Sequence, residues 1–224
     1  MRRYVDLSHT IHHGLVSFKG LPGPVICDYL SRADSRKNYT DGTEFQIGRI
    51  DMVANTGTYI DCPFHRYADG RDLSETLLER FVDLPAVLVR VPWRERLEVT
   101  PRDFIRVDVR DKAVLVDTGW SEHWNKNTYF DNHPFLTAEA ATFLRHAGAL
   151  LVGIDSHNID DTRTKNSRPV HSILLGAEIL IVEHLRGLDQ LPLEGFLFSA
   201  VPPKIKGMGT FPVRCRISAE MGTP

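Results

Sequence analysis

Residues 55–65 bring together side chains that can bind a metal ion and side chains that can move a proton. The segment reads Asn-Thr-Gly-Thr-Tyr-Ile-Asp-Cys-Pro-Phe-His, so Asp61 and His65 lie four residues apart, with Pro63 stiffening the backbone between them. A carboxylate and an imidazole can each ligate a metal or transfer a proton. The competing interpretation, equally open on these residues alone, is that Asp61 caps the following turn and His65 packs beneath it.

Two further pairs could contribute to a site. His171 and Glu183 lie twelve residues apart, but a histidine before a helix and a glutamate ending an apolar strand are more often structural than functional. Asp155 and His157 directly follow a buried strand, where α/β sheets often place ligand-binding groups. The alternative for Asp155 is that it accepts hydrogen bonds from backbone N–H groups of its loop.

Other candidates are predicted to lie outside any site. His123, His133 and His146 are expected to be exposed beside a loop and a helix, and Cys62 is expected to be a small buried residue. The sequence contains no phosphate-binding glycine loop. It also lacks a Gly-x-Ser-x-Gly elbow, so nothing supports a serine hydrolase.

Composition favours one globular domain spanning residues 1–224. The chain is 42% apolar, and its formal net charge of -2 offers no basis for binding nucleic acid or an anionic membrane. Its three cysteines are far apart, and the N-terminus lacks the apolar region of a signal peptide. We therefore predict a cytoplasmic protein whose partner is a small-molecule substrate.

Helices alternate with strands in the middle of the chain and strands dominate both ends, which indicates a mixed α/β fold. Strands are predicted at residues 4–7, 25–29, 45–53 (with a bulge near residue 48), 86–91, 113–117, 150–154, 178–183, 196–201 and 211–217. Helices are predicted at 72–81, from 100 onward, at 137–147 and at 172–176. The long segment 156–170 is predicted to be a functional loop.

Four blocks of the sequence, in order, resemble the metal-dependent cyclase-like hydrolases, the family that includes bacterial arylformamidase (kynurenine formamidase) and isatin hydrolase. The blocks are 6–22, 55–65, 171–185 and 203–214. Residues 55–65 resemble the family signature His-x-Gly-Thr-His-x-Asp-x-Pro-x-His. The resemblance implies a single mixed β/α domain around a barrel-like sheet, of the swivelling β/β/α type, assembled as a homodimer or homotetramer.

The resemblance also implies roles for individual residues. In the family, the first two signature histidines and the aspartate bind metal, the last histidine is the acid/base, and a later histidine and glutamate complete the metal site. Four of these positions keep the family's residue type: Asp61, His65, His171 and Glu183. Asn55 and Tyr59 replace the two signature histidines. The implied site therefore holds one divalent ion, Zn or Mn, on Asp61, His171 and Glu183.

The leading hypothesis is hydrolysis of a small aryl formamide, lactam, lactone or related cyclic amide. His65 would act as acid/base, Phe18 would offer an aromatic wall to the substrate, and Asn55 and Tyr59 would donate hydrogen bonds to the oxyanion. One alternative is a metal-free lyase, isomerase or cyclase that uses His65, Tyr59 and Asp61. Another is a protein that binds a small molecule without catalysis.

Overall fold

A nine-stranded mixed sheet forms the frame of the molecule, in a computed structural model that describes residues 2–164 and 167–220. The strands of the chain are β1 (Arg2–Asp6), β2 (Val25–Leu30), β3 (Ile47–Asp51), β4 (Tyr59–Asp61), β5 (Leu84–Arg90), β6 (Glu98–Val99), β7 (Ala113–Asp117), β8 (Phe135–Leu136), β9 (Leu151–Ile154), β10 (Leu180–Glu183), β11 (Phe196–Ser199), β12 (Thr210–Pro212) and β13 (Arg216–Glu220). The helices are α1 (Arg32–Arg36), α2 (Ala138–Ala147) and α3 (Pro169–Leu175).

The large sheet has the strand order β1-β13-β11-β5-β7-β9-β10-β4-β12 and curls into a half-barrel. Its central strands β5, β7, β9 and β10 are parallel, and the outer pairings are antiparallel. The observed architecture confirms the prediction of a mixed α/β fold around a barrel-like sheet.

Both faces of the central strands are buried. In β7, Ala113 and Leu115 join one hydrophobic cluster, whereas Val114 and Val116 join the cluster on the opposite face. Leu144 of α2 belongs to the second cluster, so the helical layer covers that face. This two-sided burial explains why the strand is a continuous apolar run without the alternation of a half-exposed strand.

Local signals define the two longer helices well. The Thr137 hydroxyl accepts a hydrogen bond from the Ala140 N–H, and Gly148 ends α2 in the left-handed conformation at φ 83°. Helix α3 begins at Pro169 rather than at residue 172, because proline has no N–H to satisfy and is readily accommodated in the first turn of a helix.

Two helix predictions are wrong in extent. The Asp72 and Glu75 side chains do make the predicted capping contacts with each other's backbone N–H, but they close only a turn, followed by a 3-10 helix at Leu78–Arg80. The Asp72 carboxylate also accepts from Ser74 and from the backbone of Gly207, so tertiary contacts hold this segment out of an α-helix. The start predicted at residue 100 yields a single 3-10 turn, Pro101–Asp103.

Two strand predictions and one histidine also need correction. The segment predicted as one strand at 211–217 is two, because β12 pairs with β4 whereas β13 pairs with β1 and β11. The bulge expected near Gly48 lies on the partner strand, between Asp28 and Leu30. His133 is buried rather than exposed, and its ring contacts Ser156 and Thr162.

Strands β2 and β3 form a separate two-stranded ribbon whose residues are almost all exposed on both faces. Tyr29 and Ile50 are 75% and 58% exposed. In the part of the chain that the structure describes, no helix has the length and apolar character needed to cross a bilayer.

Candidate active site

The predicted site residues are brought together by two neighbouring strands and the helix that precedes one of them. Strand β10 runs antiparallel to β4, and in this register Glu183 lies opposite Tyr59 while Ile181 lies opposite Asp61. Helix α3 comes just before β10 and carries His171 back to the same end of the sheet. His171, in the first turn of α3, and Glu183, at the end of β10, are therefore close together.

His171 lies between two carboxylates. Its Nε2 atom is 3.7 Å from Asp61 Oδ2 and 3.8 Å from Glu183 Oε1. All three side chains are buried. Separations of this size match those between atoms that ligate a common metal ion at about 2.0 to 2.2 Å.

Asp160 fixes the orientation of His171. Its Oδ2 atom lies 2.6 Å from His171 Nδ1, and its carboxylate also accepts the backbone N–H groups of Val170 (2.8 Å) and His171 (3.0 Å) at the start of α3. Because Nδ1 donates to this carboxylate, Nε2 is the atom left to face Asp61 and Glu183. This is the carboxylate–histidine arrangement that commonly supports metal-ligating histidines.

Burial disfavours the protonated imidazole of His171, but the hydrogen bond to Asp160 and the nearby charges of Asp61 and Glu183 outweigh it and raise the His171 pKa to about 10. Burial raises the pKa of Glu183 to about 7, and the positive charge of His171 opposes that rise. Three buried carboxylates around one imidazole thus make a site that attracts a cation, whether a proton or a metal ion.

The side chains fit a divalent ion. Asp61 Oδ2 is buried and has no hydrogen-bond partner among the described residues, so one strong acceptor is left for a cation. The ligand atoms of Asp61, His65 and His171 lie within 4.8 Å of one another. Asp61 and His171 are therefore shared by two possible ligand sets, one completed by His65 and the predicted one completed by Glu183.

Tyr59 hydrogen bonds to one of the two carboxylate oxygens of Glu183, which leaves fewer lone pairs of that carboxylate for a metal ion. Its hydroxyl donates to Glu183 Oε2 at 2.5 Å, and the Ile159 N–H donates to Oε1 at 2.6 Å. Burial, followed by the charges of Glu183 and Asp61, raises the Tyr59 pKa well above its usual value, while a hydrogen bond with Asn55 opposes the rise. Tyr59 is therefore a neutral donor and not a phenolate ligand.

His65 is held by a residue from the far end of the chain. Thr210 Oγ1 contacts Asp61 Oδ1 and lies 2.7 Å from His65 Nδ1. An ionised Asp61 can only accept, so the hydroxyl proton goes to Asp61 and His65 Nδ1–H donates to the hydroxyl oxygen. The lone pair of His65 then lies on Nε2, and the imidazole edge borders a cavity.

Gly209 makes this contact possible. A Cβ at this position would lie 2.2 Å from the backbone nitrogen of His65, a distance that no side chain tolerates. The Gly209 carbonyl accepts the Cys62 N–H at 2.8 Å, which holds the segment 208–210 against the start of the 3-10 turn Pro63–His65.

A cavity of about 650 Å³ opens above these groups, a size typical of sites for small molecules. Six of the seven predicted site residues line it: Phe18, Asn55, Tyr59, His65, His171 and Glu183. The seventh, Asp61, is fully buried beside His65 and His171.

Comparison with known proteins identifies the family. The family model described as "putative cyclase" matches residues 5–161. The chain belongs to this cyclase family. The match ends before His171 and Glu183, so the second half of the site rests on the geometry above.

Relatives of the cyclase family cover nearly the whole chain. The kynurenine formamidase of Geobacillus thermodenitrificans is 24% identical over 97% of this chain and 98% of its own length, and that of Bacillus cytotoxicus is 29% identical over 83% and 86%. A structure described as a predicted metal-dependent hydrolase, from Bacillus stearothermophilus, is 27% identical, with a TM-score of 0.77 over 98% of this chain and all of that one.

Isatin hydrolase A from Labrenzia aggregata, bound to benzyl benzoate, is 24% identical and superimposes with a TM-score of 0.82 over 97% of this chain and 94% of its own. At 24% identity, this superposition shows a shared fold and no more. The resemblance to the cyclase-like hydrolases predicted from the four sequence blocks is confirmed.

Asp155 and His157 do not line the cavity of this cyclase-family site. Asp155 accepts the N–H and hydroxyl of Thr118, at 2.9 and 2.6 Å, as the alternative reading of that residue proposed. His157 packs against Phe18 with ring centroids 4.6 Å apart and so supports the aromatic wall from behind.

Sequence reasoning missed Thr210, Asp160 and Asn158. Asn158 Oδ1 accepts the Asp160 N–H, and the neighbouring Ile159 N–H binds Glu183, so residues 158–160 link the two halves of the site. Their only sequence signal was membership of the long loop predicted to be functional. Thr210 lies inside the block 203–214 that resembles the family, but its own side chain carried no signal.

Proposed function

We propose that this protein is an amidohydrolase that acts on carbon–nitrogen bonds other than peptide bonds, with small aryl formamides or lactams as substrates. The reaction class is supported by the kynurenine formamidase and isatin hydrolase relatives. The observation that carries the proposal is the meeting of an oriented imidazole, His65, with a buried acidic pair around His171 at the floor of one cavity.

Asp61, His171 and Glu183 would hold one divalent ion, Zn or Mn. When bound, such an ion polarises a substrate carbonyl and lowers the pKa of a bound water. We assign Glu183 rather than His65 as the third ligand, because Thr210 already orients His65 with Nε2 directed to proton transfer.

The chain's own residues provide the proton transfers. His65 Nε2 takes a proton from the attacking water and returns it to the leaving nitrogen, while Nδ1–H stays bound to Thr210. Asn55 borders the cavity and can donate an amide hydrogen bond to the developing oxyanion. Tyr59 can do so only by giving up its bond to Glu183. Phe18 packs against the aromatic ring of the substrate.

The test measures release of formate and arylamine from formanilide, ring opening of an isatin-like lactam, and metal content, on protein purified without chelator. We expect His65→Gln to lower kcat by about 10²- to 10⁴-fold with the metal retained. We expect Glu183→Gln to lose the metal. Metal loss in His65→Gln and retention in Glu183→Gln would reverse the ligand assignment, and absence of turnover of any aryl formamide, lactam or lactone by metal-loaded protein would overturn the function.

One observation supports a second candidate, metal-free acid/base chemistry. The raised pKa of His171 means that an imidazolium can itself neutralise the surrounding carboxylates. A lyase, isomerase or cyclase would then use His65 and Tyr59. Full activity of wild-type protein after dialysis against a chelator, with less than about a tenth of an equivalent of metal remaining, distinguishes this candidate from the first.

We also propose that the protein self-associates through the β2–β3 ribbon. Isolated two-stranded ribbons are at best marginally stable in water, and this one exposes apolar side chains on both faces. We expect Ile50→Lys to yield monomers in light-scattering chromatography, whereas the matched change Ile105→Lys, at an equally exposed isoleucine outside the ribbon, leaves the oligomer intact. Unchanged mass for Ile50→Lys would contradict this interface. The cytoplasmic location stays a prediction.

A further inference from the structure

The rim of the cavity is cationic although its floor is acidic. Lys19, Arg66 and Arg168 line the cavity, and none of them forms an ion pair with a carboxylate of the described residues. Elsewhere on the surface some cations are paired, as Arg94 and Arg163 are with neighbouring acids, and others are not; what distinguishes these three is that they gather at the rim of one cavity. Unpaired cations gathered at one cavity rim therefore call for an anionic partner that the described chain does not supply.

Each of the two arginines is held in place by hydrogen bonds from one edge of its guanidinium group. Arg66 Nε donates to Ser172 Oγ at 3.0 Å, and that hydroxyl donates to the Arg168 carbonyl at 3.0 Å, so Ser172 ties the two residues together. Arg168 Nη1 donates to the carbonyls of Thr164 and Ser167 at 2.9 and 2.8 Å. The remaining N–H groups of both guanidinium groups have no partner among the described residues.

A guanidinium with a free edge can bind a carboxylate through two parallel hydrogen bonds. Even with one divalent ion bound, the three buried carboxylates leave no excess positive charge at the floor, whereas the rim cations have no paired acid, so the anionic group is directed to the rim and the neutral amide to the floor. An aromatic substrate would then lie along Phe18 with its anionic substituent at the rim. Because Arg66 follows His65, the anion and the reacting amide lie at neighbouring positions of the cavity wall.

We infer that Arg66 and Arg168 form a subsite for a carboxylate or similar anionic group, and that the preferred substrates are aromatic amides that carry such a group beside the amide. The inference rests on the proposed amide hydrolysis for the reaction itself. Recognition of the anion depends on the arginines at the rim and not on the reaction, so it can be tested by measuring ligand binding without turnover.

The binding test uses two fluorescent ligands that cannot be hydrolysed, 2-(methylamino)benzoate and 2-(methylamino)benzyl alcohol, which differ in the anionic group. We expect wild-type protein to bind the benzoate at least about tenfold more tightly, and Arg66→Gln and Arg168→Gln each to reduce that preference by about 5- to 10-fold. Arg106→Gln removes an equally exposed charge outside the cavity and should leave the preference unchanged. Added salt should weaken the binding of the benzoate but not that of the alcohol.

The kinetic test compares kcat/KM for 2-formamidobenzoate and 2-formamidobenzamide. We expect the ratio to favour the anionic amide and to fall in both arginine variants but not in Arg106→Gln. Benzoate binding that is no tighter than alcohol binding, or that survives in the Arg66→Gln/Arg168→Gln double variant, overturns the subsite. Selective, arginine-dependent benzoate binding without turnover of either amide supports the subsite while refuting the proposed hydrolysis.

Discussion

Thr210 is the residue on which the orientation of His65 depends. Its hydroxyl bridges Asp61 Oδ1 and His65 Nδ1, whereas the two side chains themselves are 3.6 Å apart and do not hydrogen bond directly. Thr210→Val keeps the shape and the β-branch that suits strand β12 but removes the bridge. Thr210→Ser keeps the bridge and is the matched control.

The loss of activity expected for Thr210→Val can be estimated from the hydrogen bond that Asp61 loses. Asp61 is fully buried and its Oδ2 atom already lacks a hydrogen bond, so the valine leaves both carboxylate oxygens without a hydroxyl donor. A hydrogen bond to a charged group contributes about 1.5 to 3 kcal/mol. If that interaction stabilises the protonated His65 of the transition state, kcat/KM falls by roughly 10- to 150-fold.

The assay measures kcat/KM on an aryl formamide for wild type, Thr210→Val and Thr210→Ser at equal metal content. We expect the serine variant to stay within about threefold of wild type, and the valine variant to lose activity chiefly in kcat, because the hydroxyl does not line the cavity. Equal activities for the two variants would refute the role of the hydroxyl bridge in positioning His65.

Two other perturbations address buried carboxylates. Burial raises the pKa of Asp155 to about 7, opposed by its bonds from Thr118. The native state therefore holds this proton more tightly than the unfolded chain, and stability falls as pH rises between about 4 and 7. From pH 5 to pH 8 the wild-type free energy of unfolding should fall by about 2 to 3 kcal/mol because of this group. Asp155→Asn lacks the titrating carboxyl, so urea unfolding should show its stability rising by that much relative to wild type over the same pH range. An equal pH dependence in both proteins would contradict the raised pKa of Asp155. Asp160→Asn places an amide N–H against His171 Nδ1 and should weaken binding of Zn²⁺ by about 10- to 100-fold in a chelator-competition titration, whereas Asp161→Asn should not; equal affinities would show that Asp160 does not orient the ligand.

The predictability of the fold from sequence varied with how local the determining contacts are. Helix α2 was predictable because Thr137 and Gly148 act on residues within a turn of themselves. The 72–81 segment was not, since the Asp72 carboxylate also binds the backbone of Gly207, far along the chain. The strand at 211–217 divides because its two parts pair with different strands, which no local pattern records.

The same distinction applies to the site. Family resemblance supplied Asp61, His65, His171 and Glu183, and the geometry brings them to one place. Thr210 escaped notice because its role depends on Gly209 passing within contact distance of the His65 backbone, a property of the folded chain alone. Asp160 escaped because an aspartate in a loop has many ordinary uses, and only its 2.6 Å approach to His171 distinguishes it.

The replacement of two signature histidines changes the charge balance of the site in a consistent direction. Tyr59 satisfies one oxygen of Glu183 with a neutral hydrogen bond, and its raised pKa keeps it from becoming an anionic ligand that would favour a second ion. Asn55 adds no charge either, because its amide is neutral. Asp61, Asp160 and Glu183 carry at most three negative charges, of which one divalent ion offsets two, and Asn55 and Tyr59 add none for a second ion. For the proposed hydrolysis, the two substitutions are therefore expected to favour one ion and to leave their hydrogen-bonding groups at the cavity.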